Sequence, residues 1–276
     1  MNNRLARTVL FLILPIVLLI IGFKTSILAG LCVFVLYILL GLIFARPLIY
    51  TAIGNSKYAK KDLTGALKWY KKASQQKGAA LQIKIYYGYL LLKSGNVEEA
   101  ENELAPLLEL NISEVQKNSV RSNLALVYWK KGNIDQAIVT LEEVISNQKA
   151  TTIYGSLGYM YILKGDLDKA VAFNKEAYEF NSDNPAILDN LGQSYFLRGE
   201  YEKSAEIYER LIPMKPTFPD AYYNYALLLD SKGNYEDAYY YLQKALRCKP
   251  SFLSSLTFKE IEAKSEEMCE KAKQAQ

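Results

Sequence analysis

Histidine is missing altogether, cysteine occurs three times, and no stretch gathers glycines into a phosphate-cradling loop. Without histidine the commonest acid–base side chain and the commonest metal ligand are gone, and no Ser-His-Asp or Cys-His arrangement can be built. Cys32, Cys248 and Cys269 lie far apart and form no CxxC pair, so they make neither a disulfide framework nor a zinc-ligand cluster. Adjacent carboxylates such as Glu98/Glu99 and Glu142/Glu143 would face different directions on a helix and read as solvated charges. The expectation is a protein that is not an enzyme and uses no cofactor or metal. Net charge is scarce as well. Of 276 residues, the first 46 carry Arg4, Arg7, Lys24 and Arg46 with no acid, while the other 230 balance 29 bases against 29 acids. The formal +4 therefore belongs to the N-terminal segment and argues for no nucleic-acid partner.

Two stretches lack charge entirely: 16 residues at 8–23 and 21 at 25–45. At about 1.5 Å per residue they span about 24 and about 31 Å, against a hydrocarbon core of roughly 30 Å. The predicted anchor, 1–46, is thus a helical hairpin with transmembrane helices at 8–23 and 26–45. Pro15 interrupts the shorter one, and snorkelling Arg7 and Lys24 extend its reach. A cleaved signal peptide is the competing reading, but bulky Ile27 stands at the −3 place before Ala29, where a small residue is needed. Residues 47–84 then hold eight lysines against the single acid Asp62. By the positive-inside rule this basic block keeps the following domain in the cytoplasm. Lys57, Lys60, Lys61, Lys68, Lys71 and Lys72 are accordingly candidates for contact with anionic headgroups.

What the chain does have is a period. Gly95, Gly132, Gly165, Gly199 and Gly233 are 37, 33, 34 and 34 residues apart. Five residues after each stands a small residue (Ala100, Ala137, Ala170, Ser204, Ala238), and seven before it stands Gly or Ala (Gly88, Ala125, Gly158, Gly192, Ala226). Glycine suits the left-handed position that ends a first helix. The following Asn, Asp or Glu opens a second, and Asn96/Glu99 and Asn133/Gln136 have capping-box spacing. Small residues on both sides let the two helices approach closely, and Pro216 and Pro250 close their units.

This pattern resembles the tetratricopeptide repeat (TPR) family. The resemblance implies an all-α fold, a TPR α-solenoid coiling as a right-handed superhelix of helix hairpins, here preceded by the N-terminal transmembrane hairpin. Six units register on it: 47–80, 81–114, 118–151, 151–184, 185–218 and 219–252, with 253–276 left as a C-terminal capping helix. In the first unit Lys61 replaces the turn glycine.

Carried over from the family, positions 2, 5, 9 and 12 of each first helix line a groove that takes a protein or peptide segment. They place Ile85, Tyr89 and Leu92 there, then Ser122, Leu126 and Trp129, then Tyr159 and Ile162. The fifth unit offers Asp189, Gln193 and Phe196, and the sixth Tyr223. Asn123, Asn190 and Asn224, one residue past the fifth position, are candidates to bind a peptide backbone. The Lys/Asn/Arg clamp by which some relatives hold a terminal carboxylate is absent, so an apolar partner segment, basic at one end, suits the lining better. The expected role is a membrane-anchored scaffold that holds a partner at the membrane. The alternatives are an envelope-assembly factor with its repeats outside the cytoplasm, and a regulatory subunit recognised through its hairpin.

Overall fold

In the computed structural model, residues 14–275 are described; the predicted segment 8–23 therefore lies partly, and Arg4 and Arg7 wholly, outside the described residues. The chain divides into two compact units, 1–84 and 85–276.

In the first unit, α1 (Leu14–Thr25) packs on α2 (Ile27–Ala59). Ser26 makes the corner: its hydroxyl accepts from the Ala29 N–H at 3.0 Å, so an N-cap satisfies one of the donors that a helix start leaves open. Helix α2 stays helical through Pro47, joining the predicted membrane segment and the first repeat helix in one element of 33 residues. Among the described residues it is the helix long and apolar enough to cross a membrane, and the side chains along its apolar stretch are almost all exposed. Its polar end packs on α3 (Leu63–Ser74). Gly54 lets the helices meet, since a Cβ there would lie 2.7 Å from the Tyr70 ring, and the Tyr70 hydroxyl donates to Asn55 at 2.5 Å. Between them Lys61 takes φ of +61°, a left-handed conformation that burdens any residue with a Cβ.

The second unit is a run of antiparallel helix pairs. Helix α4 (Leu81–Lys93), which crosses the division between the units, is followed by α5 (Val97–Leu104) and a short 3₁₀ turn, Ala105–Glu109. Next come α6 (Glu114–Lys130) with α7 (Ile134–Asn147), and α8 (Thr151–Lys164) with α9 (Leu167–Phe180). Then α10 (Pro185–Leu197) pairs with α11 (Tyr201–Leu211), and α12 (Pro219–Ser231) with α13 (Tyr235–Leu246). Helix α14 (Phe258–Gln274) packs on α13. Each pair turns on a left-handed glycine, with φ between +76° at Gly233 and +87° at Gly132.

The close approach inside a pair is visible at Gly192, where a Cβ would stand 2.8 Å from the Tyr208 ring. First helices also touch one another, α8 on α10 and α10 on α12, forming one layer. The apolar core runs between the layers. One cluster joins Ala125, Leu141, Leu157 and Met160; the next joins Leu188, Leu191, Tyr208 and Leu228; the last joins Ala226, Leu242, Ile261 and Met268. Tyr161 and Tyr208 also lie in this core, at 3% and 0% exposure.

Capping departs from expectation at several places: Glu200 and Asn234 make no side-chain cap, and Asn133/Gln136 forms no reciprocal box. Asn133 caps α7 through the Gln136 N–H, but the Asn96 side chain makes no cap and instead donates to the Ser94 hydroxyl at 2.9 Å. The turn's own serine competes for the amide. Reciprocal capping boxes occur at Ser113/Gln116 and Thr257/Glu260, both opening helices that follow longer connections.

Candidate functional site

The layer of first helices presents its inner face through residues that the helical period brings into register. Trp129 at the end of α6 and Tyr159 in the middle of α8 meet edge to face, centroids 5.6 Å apart and planes at 89°. Both remain partly exposed. Lys130 lies over the Trp129 ring at 3.9 Å. From the far side, Asp220 at the start of α12 comes close enough to interact electrostatically with Lys130. A single residue, Ser254, bridges the two. Its carbonyl accepts from Lys130 Nζ at 3.0 Å and its hydroxyl donates to Asp220 Oδ1 at 2.5 Å. Residues separated by ninety positions in sequence therefore face each other, so this layer is curved and its inner face is a groove.

The electrostatics follow from partial burial. Removal from water holds the Lys130 ammonium below its ordinary range, with the Asp220 charge opposing. Burial also raises the Asp220 carboxyl, offset by the Ser254 hydroxyl and Lys130, and burial raises the Tyr159 phenol. Beneath the groove, Asp189 is 5% exposed, and burial followed by the Asp220 charge pushes its pKa up to about 7. The Tyr208 hydroxyl and Asn224 amide donate to Asp189 Oδ1, each at 3.1 Å, and pull the other way.

The candidates drawn from the repeat register fall into two groups. Ile85, Leu92 and Ile162 are buried at 3%, 0% and 6% exposure, and Asp189, Asn190 and Asn224 are buried with them. Their chemistry is internal: Asn190 donates to the Gly155 carbonyl at 2.8 Å, tying α10 to α8, and Asn224 is spent on Asp189. Half-buried are Tyr89, Ser122, Asn123, Leu126, Gln193, Phe196 and Tyr223. Of these Ser122 donates back to the Asn118 carbonyl of its own helix, and Tyr223 packs against the cluster that holds α14. Trp129 and Tyr159 are the candidates that the fold brings into mutual contact at the groove.

Two features escaped the register. Lys130, one residue beyond the last family position, supplies a base to the lining. The segment between α13 and α14 lies along the groove. Its signal in sequence is the uncharged run Pro250–Thr257 between two charged helices. In the first unit, Lys57 pairs with Asp62 at 3.3 Å and Lys72 lies 4.7 Å over the Trp69 ring. Lys60, Lys61, Lys68 and Lys71 are exposed. Among the described residues no group of three or more His, Cys, Asp or Glu side chains is arranged to hold a metal ion.

Paired helices turned on left-handed glycines, stacked in two layers around a curved inner face, define a helical-repeat solenoid of the protein-binding kind. The tetratricopeptide repeat family model matches residues 88–144, 122–185 and 190–251, and the chain belongs to that family. A curated relative, human DnaJ homolog subfamily C member 3, is 29% identical over 114 residues, which are 37% of this chain and 21% of its own length. The chain thus spans about a fifth of that relative. Among solved structures, the thermophilic TPR protein TTC0263 of Thermus thermophilus superposes with a TM-score of 0.57 at 20% identity, covering 69% of this chain and 99% of that one. The Cut9–Hcn1 hetero-tetramer of APC/C gives 0.65 at 16% identity, covering 84% of this chain and 45% of that one. At these identities the likeness is one of fold. The family's usual role is a non-enzymatic scaffold for protein–protein interaction.

Proposed function

We propose that the protein is a membrane-held TPR adaptor whose groove takes a segment of a partner protein and keeps that partner at the bilayer. The observation that carries the reading is a segment lying on the inner face and held from three different helices: the Ser254 carbonyl accepts from Lys130, the Ser255 N–H donates to Tyr159, and the Ser254 hydroxyl donates to Asp220. A surface that satisfies one non-helical segment offers the same donors, acceptors and rings to another. In this reading 47–80 is the first of six units and 253–276 caps the last. The groove contacts reduce to Trp129, Tyr159 and the half-buried Leu126, Gln193 and Phe196.

Membrane attachment is supported by α2, whose apolar side chains are almost all exposed among the described residues. The lysines of the first repeat would rest on headgroups at about 1 kcal/mol each near the surface, with the repeats on the cytoplasmic side. Confinement there raises the effective concentration of a partner without any new contact.

Crosslinking capture with the full chain tests the groove. The Trp129→Ala, Tyr159→Ala double variant should lose its partner while its circular dichroism stays unchanged; an identical partner set in both proteins would remove the reading. A membrane-impermeant thiol reagent tests the side. Cys248 and Cys269 should react only after intact cells are permeabilised, and labelling beforehand would place the repeats outside.

A further inference from the structure

The groove has a resident. Leaving α13, the chain passes Pro250, turns at Phe252–Leu253 and lies on the inner face before Thr257 opens α14. The Phe252 ring packs at the Gly95 turn, where a Cβ would lie 3.4 Å from it, and Lys130 Nζ sits 4.7 Å above that ring. Ser254 joins Lys130 to Asp220, as described. Ser255 donates its N–H to the Tyr159 hydroxyl at 2.9 Å, and the two hydroxyls share a hydrogen bond of 2.6 Å. The strap thus touches the α4–α5 turn, α6, α8 and α12, none of which is its neighbour in sequence.

Two facts separate this from ordinary loop packing. The anchor is shallow, since Phe252 keeps 40% of its surface exposed. The helix beyond the strap has its own attachments: Ile261 and Met268 are fully buried in the last core cluster, and Lys264 and Lys271 pair with Asp230 at 2.8 and 3.0 Å. The strap can leave the groove while α14 stays. Its departure returns Lys130 and Asp220 to water, which both favour in their charged forms.

We infer that the strap is a built-in competitor, and that the partner segment displacing it carries the same chemistry: a non-helical segment turning at its aromatic residue, which is followed two and three positions later by serine or threonine, and uncharged at its centre. This rests on the groove reading above and gives it a ligand class. The neutrality has a cause. An acid at the Ser254 place would face Asp220, and a base would face Lys130, so only a group that both donates and accepts satisfies the two at once. A partner segment basic at one end, the kind expected from the sequence, finds Asp220 already matched by Lys130.

The test uses the purified full chain in detergent micelles and a fluorescent peptide copying residues 249–257. The Phe252→Gly, Ser254→Gly, Ser255→Gly variant removes the strap's side-chain contacts, the Phe252 ring and both serine hydroxyls, and leaves Leu256 and α14 in place. It should bind the peptide at least tenfold more tightly than the unaltered chain, whose tethered strap competes at high effective concentration. Adding Asp220→Asn should cost the variant at least tenfold. Equal affinity for both chains, or no binding to the variant, overturns the inference. If the variant does not fold, hydrogen exchange on Ser254→Asp decides: amides of 252–256 should exchange at least tenfold faster while those of α14 do not, and unchanged strap exchange overturns it. The groove reading fails separately, through an unchanged partner set in the Trp129→Ala, Tyr159→Ala protein, whatever the peptide does.

Discussion

Helix α2 and helix α8 are both rich in large apolar residues, and they do opposite things with them. Along α2, Leu28, Phe34, Leu39 and Phe44 stand at 73%, 48%, 52% and 76% exposure. Along α8, Ile153, Leu157 and Met160 stand at 5%, 0% and 0%. The difference is the neighbour. Every turn of α8 carries a small residue or a ring matched to α7, α9 or α10, and burying that surface contributes about 25 cal/mol per Å². Among the described residues the apolar part of α2 packs on α1, and most of its apolar side chains stay exposed. Apolar content alone therefore marks neither core nor membrane; the spacing of small residues and charges separates them.

Substitution at matched positions gives the largest contrast. Leu157→Ala should lower stability by about 2–5 kcal/mol through lost burial and a cavity, whereas Leu39→Ala should move thermal unfolding of the repeats by no more than about 0.5 kcal/mol. Conversely, Leu39→Asp should release the chain from carbonate-washed membranes, a placement costing about 3 kcal/mol at a bilayer centre, with repeat helicity intact. Equal behaviour at the two positions would erase the distinction.

Next in size is the fit between paired helices. Gly192→Ala pushes a methyl into the buried Tyr208 ring and should cost about 1–3 kcal/mol in chemical denaturation. Gly41→Ala, with nothing within 4 Å in α2, should cost nothing measurable there.

The third contrast concerns charge. The apolar stretch of α2 contains none, but α10 buries Asp189 at the centre of its pair. Its folded pKa of about 7 stands above the ordinary 3.8, so the folded state holds a proton that the unfolded chain has already released. Stability from this group is therefore lost as pH rises from about 4 to about 7, and is fully lost above. Asp189→Asn should flatten that slope, seen as a melting temperature that no longer falls between about pH 5 and about pH 7.5. An unchanged slope would assign the pH dependence elsewhere.

Smallest is the turn comparison. The later pairs turn on glycine, but the first turns on Lys61 at φ +61°. Lys61→Gly should stabilise by about 1 kcal/mol, and Gly165→Ala should destabilise by a similar amount, both read from chemical denaturation midpoints.

The repeat was legible because its signals are local. A left-handed turn needs glycine at one place, and a close helix crossing needs a small residue a fixed number of positions away, so Gly165, Gly158 and Ala170 announce a hairpin without knowledge of the rest. The groove was legible only in part. A helical register says which residues share a face, and it put Trp129 and Tyr159 on the face where the fold brings their rings together. It cannot say how far a neighbouring helix covers that face, and so Leu92, Ile162, Asp189, Asn190 and Asn224 turned out to be interior. Asn96 shows the same limit at short range, where a nearby serine won the amide.

What the amino-acid sequence determined by itself is the unit: where each helix starts, which glycine ends it, and which stretch is apolar throughout. Those choices are made within a few residues, by backbone sterics and by side chains one turn apart. Tertiary structure alone decided how the units curve, and with the curvature everything at the inner face. Lys130, Tyr159, Asp220 and the strap from Phe252 to Ser255 meet because small rotations between successive helix pairs accumulate. That sum is set by packing across the whole array and is written at no single position.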